Sequence, residues 1–396
     1  MPHDPFIGTD GDDSLTGTTG DDLFDLGLGN DTARALEGND TAYGGAGNDE
    51  LEGLYGTDLL FGGDDNDLLW GRDDNDTLFG GDGNDTTIGG KGEDWVYGGA
   101  GNDTLTGSQE YDRLFGGEGN DLAFVGVFEG EGETFLDGGN DFLDAASAGS
   151  SQLARGGTGN DTMDSGVGND TMYGDDDDDR MTGGEGSDLL YGGGGNDLLR
   201  GERGAGATGG GLHDDTLHGN HGNDTLYGEA DQDFLYGDSG TDLIYGGDGQ
   251  DRLQGDGGSD TLDGGAGDDS LFGGTGRDRL TGGGGHDVLQ GDAGADTFQF
   301  LLDPAGGADT VTITDFAAGF DCLALSSGVF SAVGPSVSGG EFVIGTAARD
   351  GSDHLIYDPA TGDLFYDSDG RGAAAAQLVA HLQAGLALTA QDFAVI

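Results

Sequence analysis

The chain is predicted to be all-β, a pair of parallel β-solenoids closed by a smaller β-rich cap. Three observations predict this. Of 396 residues, 89 are Gly and only 33% are hydrophobic. A nine-residue period runs through most of the length. Acidic residues outnumber basic ones 78 to 13, for a net charge of -65. A chain so poor in apolar residues builds no ordinary enzyme core, and a fixed period of glycine turns is the mark of a repeat fold.

The first solenoid starts at Gly8 with GTDGDDSLT and keeps strict register to GGEGNDLAF, ending at Phe124, a total of thirteen repeats. An irregular stretch, 125–155, follows; it contains GGNDFLD around Asp141 and reads as a hinge or bulge. The second solenoid covers 156–299 in sixteen slots, of which 201–209 has lost the pattern. Within each repeat, glycines at positions 1, 2 and 4 permit positive φ and close backbone approach, so six residues form a turn and three form a strand. Alternation then points position 8 inward, as with Leu60, Leu69, Leu78, Leu226 and Leu271, giving one core side chain per repeat.

Position 6 is Asp in every intact slot. In the first block these are Asp13, Asp22, Asp31, Asp40, Asp49, Asp58, Asp67, Asp76, Asp85, Asp94, Asp103, Asp112 and Asp121. In the second they are Asp161, Asp170, Asp179, Asp188, Asp197, Asp215, Asp224, Asp233, Asp242, Asp251, Asp260, Asp269, Asp278, Asp287 and Asp296. Two repeats make one turn, so Asp13 is expected beside Asp31, Asp49 beside Asp67 and Asp242 beside Asp260. The thin apolar core cannot offset the backbone entropy and the carboxylate repulsion together. Hard divalent cations held by Asp oxygens and loop carbonyls offset both, and an all-oxygen donor set selects Ca²⁺ over Zn²⁺ and Mg²⁺. The register offers eleven adjacent pairs in the first block and twelve in the second; a divalent ion at each would bring the net charge from -65 to about -19. Asp40, whose slot opens Ala35-Leu36, and Asp179, where Asp177 replaces the fourth-position Gly, stand in altered loops.

The pattern GGxGxDxUx resembles the repeats-in-toxin (RTX) family over roughly 8–299. The resemblance implies calcium-loaded parallel β-rolls.

Position 9 adds aromatic columns spaced by eighteen: Tyr43, Phe61, Phe79, Tyr97, Phe115, and then Tyr173, Tyr191, Gly209, Tyr227, Tyr245. They are expected to stack along successive strands. A contact surface for glycan or for self-association is the alternative use. His213, His218 and His221 are close in sequence but lack a metalloenzyme spacing. Gly237-Asp238-Ser239-Gly240 is the start of an in-register repeat. No catalytic constellation stands out, so the chain is expected not to be an enzyme.

From 300 to 396 the composition turns more apolar. DTVTITDF, FDCLALS, EFVI and the pair HLIYD and DLFYD read as strands, the last two joined by a Pro-Gly turn. Ala373 to Ala384 is predicted as the cap's one helix, with Gly385 as its stop. The segments Asp296-Thr-Phe-Gln-Phe, Asp315-Phe316, Asp321-Cys-Leu-Ala-Leu-Ser and Tyr366-Asp-Ser-Asp-Gly370 resemble the C-terminal domain of secreted RTX proteins such as serralysin-type proteases and polyuronate epimerases. The ending Asp392-Phe-Ala-Val-Ile396 is similar to their uncleaved type I secretion signal. That resemblance implies a bacterial protein exported by an ABC transporter complex that reads the C-terminus, consistent with an N-terminus showing no cleavable signal. The lone Cys322 forms no internal disulfide. No apolar run spans a membrane, and the acidic charge excludes unaided nucleic-acid binding. The expected role is secreted, calcium-binding and structural, in a surface layer, matrix or adhesin. The alternative is an accessory module or remnant of an exported protease or epimerase.

Overall fold

A computed structural model describes residues 5–126, 132–145, 149–202, 213–301, 310–372 and 374–396. The chain divides into two compact units, residues 1–198 and 199–396.

In the first unit, strands alternate between two parallel sheets. Leu23–Leu28, Thr41–Ala46 and Leu59–Asp64 belong to one, and Thr32–Glu37, Glu50–Tyr55 and Leu68–Asp73 to the other. Partners are eighteen residues apart, as in Phe61↔Phe79 and Leu51↔Leu69. Most of these strands are six residues, not three, because positions 1 to 3 of the following repeat prolong them. Burial therefore falls on position 8 and also on position 1, so Leu60 and Gly62 are both buried. Where position 1 carries a side chain it joins the core, as Leu26 and Ala35 do beside Phe24, Leu51 and Leu60.

Positive φ is confined to positions 2 and 4, as at Gly45 and Gly47, both at 116°. Asp177 stands at position 4 with φ 77° and keeps the turn. Position 1 is Gly for a different reason, which the metal centres below make clear.

The stretch 125–155 is not a hinge between rolls among its described residues. Gly132–Gly138 pairs in parallel with Arg113–Glu118 on one side and with Gln152–Thr158 on the other, while Phe142–Asp144 pairs with Leu122–Phe124 and Thr162–Val167. The 31 residues are three further repeats of 11, 9 and 11 residues. The two long ones fall in the same sheet edge and hold residues 127–131 and 146–148, which lie outside the description.

In the second unit the same two-sheet pattern runs from Thr216–His221 and Thr225–Ala230 to His286–Gln290 and Thr297–Phe300. The degenerate slot 201–209 lies mostly outside the described residues, as does Gly209. A Cβ added at its first residue, Gly201, would lie 2.0 Å from Asp215 Oδ2, so Gly201 and Asp215 stand in the first and sixth positions of one repeat site.

The C-terminal strands prolong both sheets. Thr310–Ile313 pairs with His286–Gln290 and then with Gln377–His381; Cys322–Leu325 pairs with Thr297–Phe300 and then with Phe393–Val395. The expected hairpin forms between Leu355–Asp358 and Asp363–Tyr366, with Gly362 at φ 88° in its turn. The expected helix at 373–384 does not form: Gln377–His381 is a strand, and Ala373 lies outside the description. Parallel pairing to Val311 and antiparallel pairing to Leu364 meet the Ala380 backbone from both sides, and this overrides the alanine-rich helix propensity. The described helical content of this region is one 3-10 turn, Ala390–Asp392.

Candidate metal centres

The sixth-position aspartates stack in columns along the loop edges of each unit. The Asp13 N–H donates to Asp31 Oδ1 at 2.7 Å, Asp49 to Asp67 at 2.8 Å and Asp242 to Asp260 at 2.9 Å. One column of the first unit is unbroken from Asp13 through Asp31, Asp49, Asp67, Asp85, Asp103, Asp121, Asp141, Asp161 and Asp179 to Asp197. The other runs from Asp22 through Asp40, Asp58, Asp76 and Asp94 to Asp112, and resumes with Asp170 and Asp188. In the second unit, Asp215, Asp233, Asp251, Asp269 and Asp287 form one column, and Asp224, Asp242, Asp260, Asp278 and Asp296 the other.

Within a column, each carboxylate after the first spends Oδ1 on that neighbouring N–H. For Asp76, 1% exposed, Oδ2 is buried with no partner, and the same holds at Asp31, Asp49, Asp67, Asp85, Asp233, Asp251 and Asp269. A buried, unsatisfied carboxylate oxygen costs several kcal/mol unless something meets it. The surroundings say what. A Cβ added at Gly71 would lie 2.3 Å from Asp76 Oδ2 and 2.7 Å from the Gly89 carbonyl oxygen. The first-position glycine thus keeps a cradle open where a carboxylate and a carbonyl of the next turn converge. Gly62 does the same for Asp67 and the Gly80 carbonyl, and Gly246 for Asp251 and the Gly264 carbonyl.

Electrostatics agree. Burial pushes the Asp76 carboxyl up to about 9, with Asp58 and Asp94 adding to the rise and the Asp58 N–H opposing it. Asp58, Asp67 and Asp94 rise to about 7, again chiefly through burial. Basic side chains engage outward acids instead of the columns at several places, as Arg34 and Arg72 engage Glu52 and Lys91 engages Asp73. Among the described residues no three His, Cys, Asp or Glu side chains converge. The donor set is therefore paired carboxylates and carbonyls, which suits a hard cation such as Ca²⁺ and not a histidine-bound metal. His218 stacks on Tyr236 at 4.5 Å between ring centroids.

The ends of the columns are closed differently. Asp13 Oδ2 accepts from the Thr9 N–H at 2.5 Å, and Asp22 Oδ2 from the Thr18 N–H at 2.6 Å. At the other end, Asp296 donates to Asp321 Oδ1 at 3.1 Å while Ala317 N–H meets Asp321 Oδ2 at 2.7 Å. Asp315 accepts from the Gly291 and Asp292 N–H groups. Sequence reasoning overlooked Asp141 in its column, Gln152 standing where an Asp is due, and these closing residues. The twenty-residue spacings from Asp121 to Asp141 and Asp141 to Asp161 were the available signal.

The aromatic columns stack as expected. Tyr43, Phe61, Phe79, Tyr97 and Phe115 follow one another at 4.6 to 4.9 Å between centroids, and Phe135 continues the column at 5.4 Å. Arg155 is the next rung, over Tyr173 at 4.6 Å, and Tyr173 stacks on Tyr191. In the second unit Arg200 lies over Tyr227, which stacks on Tyr245.

Comparison with known families matches the RTX calcium-binding nonapeptide repeat, in overlapping copies over 3–123, 153–206 and 209–298, roughly two thirds of the chain. Among solved structures, the chain is similar to the solution structure of the AlgE6R3 subunit from the Azotobacter vinelandii mannuronan C5-epimerase. The identity is 24% and the TM-score 0.20, covering 48% of this chain and 82% of that one. No curated protein matches it.

Proposed function

The chain belongs to the RTX calcium-binding nonapeptide repeat family, and from that premise we propose that it is a secreted protein whose rolls fold on Ca²⁺ outside the cell and serve a structural, surface-layer, matrix or adhesive role. The observation that carries this reading is the repeated buried Oδ2 without a partner, as at Asp49, Asp67 and Asp85, each facing a glycine cradle. Ca²⁺ at those oxygens would neutralise the carboxylates that burial otherwise drives toward the protonated form.

Calcium supplies the switch between compartments. Extracellular modules bind Ca²⁺ with Kd of about 10⁻⁴ to 10⁻³ M. Stabilisation grows as RT ln(1 + [L]/Kd) at each site, so low cytosolic calcium leaves the chain unfolded while external calcium drives folding by mass action. An unfolded chain is what a transporter can thread. Export by a type I ABC transporter complex reading the C-terminal region fits this sequence of events, as does the resemblance of the segments around Asp321 and Tyr366 to exported relatives. No helix among the described residues is long and apolar enough to cross a membrane.

In this reading the role is non-catalytic, and the placement of the perturbed groups supports it. The carboxyls with the largest shifts, such as Asp76, Asp112 and Asp233, are spread along repeated loops rather than gathered in one cleft. The aromatic column, stacked at van der Waals spacing, serves in this reading to hold successive strands together rather than to bind glycan.

The test is a titration of the full chain with Ca²⁺ and with Mg²⁺, followed by far-UV circular dichroism. Cooperative gain of β signal with Ca²⁺ and not with Mg²⁺ is expected. A spectrum that neither ion changes would overturn the reading.

A further inference from the structure

Most repeats carry Gly in the second position, where the backbone turns to positive φ, as at Gly45 and Gly63. Leu36, Leu54 and Arg72 stand there instead, at φ 90°, 87° and 93°, a region that large L side chains rarely adopt. Where other repeats replace that glycine at positive φ, the side chain is short and polar or acidic, as at Ser108, Asp175, Asn220 and Asp256. The three large ones are not scattered. They pair on adjacent strands of one sheet, Leu36↔Leu54 and Leu54↔Arg72. Two residues before each, Arg34, Glu52 and Trp70 share the same outward face.

Charge marks this face as well. Arg34, Arg72 and Lys91 are all the basic residues of the first hundred, and all three lie on this sheet. Its four strands from Thr32–Glu37 to Thr86–Lys91 carry three cations against four acids, in a chain where acids outnumber bases 78 to 13. The five strands of the opposite sheet from Leu23–Leu28 to Trp95–Ala100 carry no cation. A patch of nearly balanced charge around apolar side chains draws neither a polyanion nor a polycation. Its complement is a patch of the same composition.

We propose that this face is an isologous contact with a second copy of the chain. A two-fold axis lying along the strands, between Thr32–Glu37 and Glu50–Tyr55, sets each copy's earlier strand opposite the other's later one. Arg34 then meets Glu52 of the second copy, Leu36 meets Leu54, and Glu37 meets Tyr55, which is 56% exposed. Arg34 already bridges Glu52 at 3.0 Å within the chain and keeps its side chain more than half exposed, so the axis closes a ring of four alternating charges. The leucines supply the apolar contact across the axis, which a glycine better suited to the turn could not. This contact is separate from the metal columns and requires the folded roll alone.

The test is sedimentation equilibrium of the full chain over a concentration series, under conditions where circular dichroism shows the roll folded. The parent is expected to dimerise. Arg34→Glu and Glu52→Arg should each weaken dimerisation about tenfold or more, and the variant carrying both should recover it, because the double reversal restores both pairs across the axis. Leu54→Gly should weaken dimerisation while leaving the monomer's unfolding temperature unchanged or higher, since glycine relieves the positive φ. A parent that stays monomeric, single reversals without effect, or a double reversal without recovery would overturn the proposal. So would a lowered unfolding temperature for monomeric Leu54→Gly, which would assign the leucine to the roll's own packing.

Discussion

Asp76 in the first unit and Asp321 in the C-terminal region are both buried carboxylates, yet they are built for opposite ends. Asp321 receives a backbone N–H on each oxygen, from Asp296 and from Ala317. Asp76 receives one, from Asp58, and leaves Oδ2 facing a glycine cradle. Asp392 is satisfied like Asp321, accepting from the Gly319 N–H on one oxygen and the Thr389 N–H on the other. Burial of an acid is therefore not what marks a cation site in this protein. The mark is the oxygen left over after the backbone has been counted. The C-terminal strands close the columns with the chain's own N–H groups, whereas the loops between leave an Oδ2 open to a charge from solution.

The largest expected effect of that difference is on chelation. Removing calcium should expose the repeat amides, such as those of Leu59–Asp64, to rapid hydrogen exchange. The hairpin Leu355–Asp358 with Asp363–Tyr366, whose Tyr357 is buried and whose Tyr366 packs edge-on against buried Phe330, should retain slower exchange. Equal loss in both would break the comparison.

Acid should partly substitute for calcium. The repeat carboxyls have folded values of about 6 to 9, at Asp40, Asp67 and Asp76, against 3.8 in the unfolded chain. A raised folded value means the calcium-free roll binds protons more tightly than the unfolded chain. That contribution is complete below about pH 4 and is lost as pH rises through 6 to 9. Calcium-free protein should gain β signal by circular dichroism as pH falls from 8 toward 4, while apparent calcium affinity should rise with pH as protons stop competing. A pH-independent spectrum without calcium would contradict the burial argument.

Paired substitutions sharpen the contrast further. Asp321→Ala leaves two backbone N–H groups unmet and should cost about 2 kcal/mol in denaturant unfolding, with or without calcium. Asp76→Asn should cost stability only when calcium is present, because it removes a charge that the calcium-free fold disfavours. Gly81→Ala, at φ 124° and with the Gly63 carbonyl oxygen 2.1 Å from the added carbon, should cost roughly 1 to 3 kcal/mol through backbone strain. The smallest effect is expected at Phe79→Ala, which removes stacking on Phe61 and Tyr97 worth about 0.5 to 1.5 kcal/mol per pair and should leave the number of bound ions unchanged.

Much of this was legible before any coordinate. An eighteen-residue turn follows from two nine-residue repeats, and it places Asp13 beside Asp31 and Phe61 beside Phe79. What was not legible has physical reasons. Position 1 hides its burial because it is usually Gly, which carries no apolar signal; Leu26, Ala35 and Leu136 are among the exceptions that show it. The stretch 125–155 looked irregular because its insertions change the period from eighteen to twenty while leaving strand register intact, as Arg113↔Glu133 shows. The strand Gln377–His381 was read as a helix because its alanines and leucine suit either state, and only pairing with Val311 and Leu364 decides. Gly385, read as the helix stop, instead turns at φ 84° with its N–H on the Pro359 carbonyl.

The central claim is that the leftover Oδ2 atoms are cation ligands, and the most direct measurement is the number of calcium ions on the full chain by native mass spectrometry at saturating calcium. One ion for nearly every adjacent Asp pair, on the order of 20, is predicted. A count of a few ions, with the β-roll folded all the same, would contradict it.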